Sequence, residues 1–450
     1  MTLKFFGGAG MVTGANYLLE SNGEKILIDC GLHQGSHYCE RKNFEPFGYD
    51  PKEIKAVLIT HAHIDHTGRL PKLYKEGFRG NVYSTPPTKD FAREMLLDSE
   101  DILRRESERE KVEPLYSAED VDGLMRLWEG VDYGQPFNKA GFKVTLVNSG
   151  HILGSSSIII EAENKMVVFS GDLGNRKPPL IKEWEPLEIS ADYCLIESAY
   201  GDRLHGDLER REEILEDVIE DTIKAGGVLM VPAFAMERIQ ALLYQLNELV
   251  ENNRIPRVPV FVDSPLAIKL TAVYKWYESY FNDEAWKMVG KDKSLFSFPG
   301  LKLSYTKEES QAIKNVPSPK IIIAGSGMSH GGRIMFHEKE YLKDPKSTIL
   351  FIGYQAAGSL GRQILEGAKA VKILGEEVSV RCRVVNISGY SAHADQERLL
   401  DWLRPMKETL KKVFVVQGDL DASEKFASIV QDQLAIQTYV PSEGEEIVLK

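Results

Sequence analysis

Short apolar runs separated by turn residues fill the first 90 positions: Tyr17-Leu18-Leu19, Lys25-Ile26-Leu27-Ile28-Asp29, Ala56-Val57-Leu58-Ile59 and Asn81-Val82-Tyr83. Runs of this length between polar and glycine residues predict sheet strands. Residues 90–130 carry a helical pattern instead, and the charges of both signs crowded between Asp98 and Glu113 read as a solvated helical face. Strands are expected again at 143–147, 157–160, 166–169 and 193–196. From about 205 the texture becomes an alternation of strand and helix. The run 227–232 precedes a helix through Gln240 to Val250, 258–263 precedes one from Leu266, and 320–325 and 347–353 each run into a Gly-rich turn. That pattern predicts a doubly wound α/β domain. After about 380 strands return at 384–387 and 413–416, so three stretches are expected: 1–204, 205–380 and 381–450.

Length supports the division, because 450 residues are many for one hydrophobic core. Apolar residues at 43% and charged ones at 27% are ordinary for a soluble globular chain. No basic segment leads into a long apolar one, and no apolar run reaches membrane-spanning length, so a cytoplasmic protein without a membrane partner is expected. Cys30, Cys39, Cys194 and Cys382 are widely spaced with no C-x-x-C pair, which predicts reduced, structural thiols rather than a disulfide framework or a thiolate zinc site. A net charge of −12 argues against a protein that coats nucleic acid non-specifically. It leaves room for a nuclease, since bound cations and a few local arginines can draw phosphates into an otherwise acidic molecule.

The densest chemistry is Thr60-His61-Ala62-His63-Ile64-Asp65-His66, at the end of an apolar strand. One histidine is a poor ligand candidate, but three with a carboxylate in six residues is metal-ligand spacing. His61 and His63 can face one cation while Asp65 and His66 turn to a second, as two-metal hydrolases require. His151 in Ser149-Gly150-His151 and Asp172 in Ser170-Gly171-Asp172 also follow strands, each beside a glycine that lets the backbone come close. With these the set suffices for two zinc-like ions, Asp172 bridging. The turn Gly325-Ser326-Gly327-Met328-Ser329-His330-Gly331-Gly332-Arg333 offers backbone N–H groups and Arg333 to a phosphate, or serves the fold alone. Candidate phosphate-binding positions are Ser326, Gly327, Ser329, Arg333 and, in the similar turn 357–362, Arg362. His205, His330 and His337 read as structural or ligand-facing, and His33 and His37 as loop residues.

The H-x-H-x-D-H run, the later His151 and Asp172, and the strand-ending Asp29 resemble the metallo-β-lactamase superfamily in order and spacing. Glu197 in Ile196-Glu197-Ser198-Ala199-Tyr200-Gly201 resembles motif A of its β-CASP branch, and His393 in Ser388-Gly389-Tyr390-Ser391-Ala392-His393-Ala394-Asp395 resembles motif B. That branch holds RNA and DNA nucleases such as ribonuclease J, the polyadenylation endonuclease and Artemis. The resemblance implies an α/β fold: a metallo-β-lactamase αββα sandwich, formed by 1–204 and the return 381–450, carrying an inserted doubly wound β-CASP domain at 205–380 that caps the metal site. It also implies a zinc-dependent phosphodiesterase that cleaves RNA with metal-activated water. Its metal ligands would be His61, His63, Asp65, His66, His151 and Asp172, and its catalytic residues His393, Glu197 and Asp65. His393 would protonate the leaving oxygen with Glu197 orienting it, and Asp29 would buttress the ligand loop.

One position departs from the branch. Motif C calls for a histidine, and the matching stretch is Val415-Val416-Gln417-Gly418-Asp419. An amide oxygen is a weaker zinc ligand than imidazole, so Gln417 is expected to be a weak ligand and the second ion weakly held. The substitution keeps a DNA-directed nuclease of the same branch, or a non-catalytic RNA-binding paralogue, as alternatives. A thioesterase or lactonase on this fold has no use for the long α/β insertion. No RNA-binding N-terminal extension is recognisable, because the metal fold begins at about residue 2. The expected partner is single-stranded RNA; a homodimer and the choice between endonuclease and 5′-to-3′ exonuclease stay open.

Overall fold

The computed structural model describes residues 1–35, 40–206, 208–289, 294–353, 355–356 and 358–450; His37, Cys39 and Ala357 lie outside them. Backbone contacts divide the chain into two units, one of Met1–Arg176, Glu183–Leu204 and His393–Lys450, the other of Lys177–Lys182 and His205–Ala392.

Among the described residues the first unit holds two seven-stranded sheets. One orders its strands Glu446–Val448, Thr2–Phe5, Tyr17–Ser21, Glu24–Ile28, Ile54–Leu58, Asn81–Ser84, Trp128–Gly130. The other runs Thr438–Tyr439, Lys412–Val416, Tyr193–Glu197, Lys165–Phe169, Ser156–Ala162, Phe142–Asn148, Phe137–Lys139. Their facing sides share one core, with Phe5, Tyr17, Ile28 and Leu58 from the first sheet meeting Leu146, Ile158, Phe169, Leu195 and Phe414 from the second. Strand alternation sends the neighbouring residues the other way. Cys194, Ile196, Val413 and Val415 therefore pack outward against Leu399, Trp402 and Leu403 of the helix Gln396–Leu403 and Phe426 and Val430 of the helix Leu420–Leu434. Leu18, Leu27, Val57 and Val82 are buried on the opposite outer face. There the helix Ala118–Met125 packs against Leu70–Lys75 and Pro86–Glu110, and the last of these also meets the strand Trp128–Gly130. The result is the expected αββα sandwich. At about 1.5–3 kcal/mol for each fully buried large apolar side chain, these layers dominate the stability of the unit. Cys30 and Cys194 are free, buried thiols within it.

Among the described residues the second unit holds a six-stranded parallel sheet ordered Leu301–Leu303, Val260–Asp263, Lys320–Ala324, Val228–Pro232, Thr348–Phe351, Arg383–Asn386. Its central strands are buried at every position, as sheets covered on both faces by crossover helices must be. This is the expected doubly wound α/β domain. Its limit needs correcting: Arg383–Asn386, read from sequence as part of the C-terminal return, pairs in parallel with Thr348–Phe351, and the unit ends at Ala392 rather than at about 380. The cause is a pairing partner that the local pattern cannot reveal, since an apolar run before a turn looks the same in either sheet. Among the described residues no helix is long and apolar enough to cross a membrane.

Candidate metal centre

Several strands of the first unit end where their next residues can converge. Ile54–Leu58 leads through Ile59 and Thr60 to His61, Phe142–Asn148 to His151, Lys165–Phe169 to Asp172, Tyr193–Glu197 ends on Glu197, and Lys412–Val416 precedes Gln417. Backbone hydrogen bonds tie the short helix Ile64–Thr67 to its neighbours: its Ile64 and Asp65 carbonyls accept the Leu32 and Ala15 N–H groups at 2.9 and 3.0 Å, and the His66 carbonyl accepts Cys30 N–H at 2.8 Å. Gly31 is required beneath it, because a Cβ there would lie 1.5 Å from the Asp65 carbonyl oxygen. Gly171 plays the same part for Asp172, with φ +57 and a would-be Cβ 2.8 Å from Thr60 Cβ.

His61, His63, His151 and Asp172 form one group whose potential ligand atoms all lie within 4.8 Å of each other. His63 Nδ1 is 3.0 Å from His61 Nε2 and 3.3 Å from His151 Nε2, and Asp172 Oδ2 is 3.5 Å from both Nε2 atoms. Zinc bonds of about 2.0–2.1 Å at tetrahedral angles separate adjacent ligand atoms by about 3.3–3.4 Å. The donor set therefore fits such an ion in both spacing and chemistry. Burial drives the His61 pKa far down, with help from His66, so its ring is a neutral donor. Burial opposes ionisation of Asp172, yet the His66 imidazole holds its carboxyl well below the usual range.

A second layer fixes these rings. The Asp29 carboxylate, 1% exposed, accepts Thr60 N–H and Thr60 Oγ–H at 2.8 Å each and stands 2.7 Å from His66 Nδ1. Thr60 Oγ, having donated to Asp29, lies 3.1 Å from His61 Nδ1 and can accept its proton, which leaves the Nε2 lone pair toward the ligand group. Thr60 went unnoticed in the sequence; a threonine after a strand carries no distinguishing signal.

Asp65, His66 and Gln417 lie on the other side of Asp172. His66 Nε2 is 3.4 Å from Asp172 Oδ1 and 3.9 Å from Asp65 Oδ2. Burial pushes the Asp65 pKa up against the pull of His66. Gln417 is 3% exposed, and its Nε2 stands 2.9 Å from both His66 Nε2 and Asp172 Oδ1.

Asp172 also joins a group with Glu197 and His393. His393 Nδ1 is 3.3 Å from Glu197 Oε2 and 3.8 Å from Asp172 Oδ2. The His393 side chain is 28% exposed while that of Glu197 is wholly buried, so the imidazole is the member a substrate can reach. Glu197 Oε1 accepts Leu173 N–H, and Glu197 N–H donates to Ser170 Oγ at 3.0 Å. Burial raises the Glu197 pKa, and the His393 ring counters it.

The phosphate-binding candidates of the second unit fare differently. Ser329 is fully buried and donates to Glu338, so its hydroxyl is withdrawn from any phosphate, a correction to the sequence reading. Arg333 is committed to Asp263 Oδ1 at 2.7 Å and to the Ser304 and Tyr305 carbonyls at 3.0 Å. Its charge is spent locally. Ser326 Oγ accepts Gly331 N–H at 3.2 Å, closing the turn, and a Cβ on Gly327 would lie 2.7 Å from the Phe234 ring. Arg362 is paired with Glu366 at 2.6 Å on the surface. His337 is buried with Nε2 2.7 Å from Asp263 Oδ2, a structural role.

Three family models match the chain. Residues 10–193 match the metallo-beta-lactamase superfamily, 239–364 the Beta-Casp domain, and 377–441 the Zn-dependent metallo-hydrolase RNA specificity domain. Ribonuclease TTHA0252 of Thermus thermophilus is 39% identical over 404 residues, covering 90% of this chain and 91% of that one. The chain belongs to the β-CASP branch of the metallo-β-lactamase superfamily. An RNase J-like protein of Methanocaldococcus jannaschii is 32% identical, covering 98% of each chain, and the transcription termination factor FttA of Methanosarcina mazei is 33% identical over 96% of this chain and 69% of its own. A solved protein of unknown function from Enterococcus faecalis shares the fold, with a TM-score of 0.59 at 13% identity over 100% of this chain and 99% of its own.

Proposed function

We propose that this β-CASP metallo-hydrolase is a zinc-dependent ribonuclease that hydrolyses phosphodiester bonds in single-stranded RNA. The observation that carries the reading is the His61, His63, His151 and Asp172 group sharing its carboxylate with the Glu197–His393 pair. Relatives named as ribonucleases and the RNA specificity match at 377–441 supply the substrate class. A zinc ion bound to this group would lower the pKa of water and offset charge on the phosphoryl oxygens. The protein supplies the rest. Asp29 and Thr60 hold the His66 and His61 rings in their donor orientation. Glu197, anchored by Leu173 N–H, accepts from His393 Nδ1, which turns Nε2 outward to donate a proton to the leaving oxygen.

The test compares zinc content with cleavage of 5′-labelled RNA and single-stranded DNA. His393→Ala is expected to keep wild-type zinc and lose about 100- to 10,000-fold in RNA cleavage. Undiminished cleavage by that variant would refute the assignment of His393, and a preference for DNA would replace the substrate class.

A further inference from the structure

We propose that Trp184 is a positioning residue for the hydrolysis, holding His393 at a fixed offset from the His61, His63, His151 and Asp172 group. The inference rests on the hydrolase reading above and adds to it a residue outside the site.

His393 is the first residue of the chain's last return to the first unit, so its place is set by what anchors the residues around it. Ala394 N–H donates to the Leu173 carbonyl at 2.7 Å, and His393 pairs with Gly174 in an isolated antiparallel bridge. Leu173 and Gly174 directly follow the ligand Asp172. The Gly174 carbonyl accepts the Trp184 indole N–H at 3.1 Å, and Gly174 N–H donates to the Ser149 carbonyl at 2.8 Å. The segments of Asp172 and His393 are thus tied to each other and to the turn that carries His151.

Trp184 also backs that turn. Gly150, at φ +67, lies so close that a Cβ on it would stand 2.8 Å from Trp184 N, and a Cβ on Gly174 would stand 1.8 Å from the Gly150 carbonyl oxygen. The Asn148 side chain spans the same gap, donating to the Glu183 carbonyl and accepting Gly150 N–H, both at 2.9 Å. Arg398 closes the arrangement: its guanidinium carbon lies 3.7 Å from the Trp184 ring centroid, and Nη2 donates to Glu183 Oε2 at 2.6 Å. Arg398 stands in the first turn of the helix Gln396–Leu403, where Asp395 Oδ1 accepts its N–H at 3.0 Å. Glu183 and Trp184 therefore grip the segments of His151, Asp172 and His393 together. A phenylalanine could fill most of the apolar space, but only the indole offers an N–H to the residue that pairs with His393.

The test compares full-length, zinc-loaded wild type with Trp184→Phe, which keeps an aromatic ring and loses the N–H, each also in a His393→Ala background. Trp184→Phe is expected to lower kcat on 5′-labelled RNA about 10- to 100-fold, with KM within about twofold and zinc content by mass spectrometry unchanged. In the His393→Ala background the same substitution should change cleavage by less than about twofold, because the group it places is gone. Hydrogen exchange reads the positioning without cleavage. The Ala394 amide should exchange about tenfold faster in Trp184→Phe relative to amides of the core strand Ser156–Ala162, a factor set by about one hydrogen bond. Arg398→Lys keeps a charge for Glu183 without the planar face and is expected to lower kcat likewise; should Trp184→Phe misfold, this variant decides. A kcat within about twofold of wild type in a folded variant, an equal loss in both backgrounds, or loss of zinc would overturn the proposal alone. A wild type that holds no zinc and cleaves no RNA would overturn the hydrolase reading and this inference with it.

Discussion

Asp29→Asn isolates what the buried carboxylate does for the ligand loop. The wild-type group receives three donors at 2.7–2.8 Å in a setting that is 1% exposed. In the variant the amide oxygen can keep Thr60 N–H, while the NH2 faces Thr60 Oγ and His66 Nδ1. The imidazole N–H that faced a carboxylate oxygen then faces an amide NH2, and a buried donor is left unmatched. Losing one charge-assisted hydrogen bond costs about 1.5–3 kcal/mol and leaving a buried donor unmatched about 1–3 kcal/mol. The sum is about 2.5–6 kcal/mol. At about 2–4 °C per kcal/mol for a unit of this size, the melting transition should fall by at least roughly 5 °C. Urea denaturation of metal-stripped protein, followed by fluorescence, reads this unit selectively, because Trp128, Trp184 and Trp402 are buried within it while Trp276 and Trp286 of the other unit are exposed. A loss below about 0.5 kcal/mol, the level of an ordinary surface substitution, would refute the role given to the Asp29 carboxylate.

Two further outcomes concern the inserted unit. Burial raises Glu338 from 4.5 to about 7, against the Ser329 hydrogen bond. A carboxyl raised on folding costs nothing below its unfolded pKa and destabilises increasingly as pH climbs from about 4.5 to 7. Glu338→Gln should therefore stabilise by about 2 kcal/mol more at pH 8 than at pH 5, as read by urea midpoints; an equal effect at both values would contradict that origin. Asp263 is buried, and against that burial the His337, Ser310 and Arg333 hydrogen bonds hold its pKa down. Asp263→Ala should destabilise the unit by about 3–5 kcal/mol, because it strands those partners, and calorimetry showing less than about 1 kcal/mol would exclude it.

Most of the centre could be read from sequence because the informative residues are contiguous or flagged by glycine. His61, His63, Asp65 and His66 fall in one run, and Gly150 and Gly171 mark His151 and Asp172. What escaped depends on contacts distant in sequence. Thr60 matters through Asp29, 31 positions away, and Ser329 is buried by Glu338 on the following helix. The strand Arg383–Asn386 was placed in the wrong stretch because only its partner Thr348–Phe351 identifies its sheet. Gln417 stands out in sequence as a departure, but its neighbours His66 and Asp172 lie 351 and 245 positions away.

The central claim, that RNA cleavage depends on a metal held by this group of residues, is tested most directly by following cleavage of 5′-labelled single-stranded RNA through chelation and zinc re-addition, with metal content measured in the same samples. The account predicts that cleavage disappears with the metal and returns on adding zinc to wild type but not to His63→Ala. Full cleavage by protein containing no metal would contradict it.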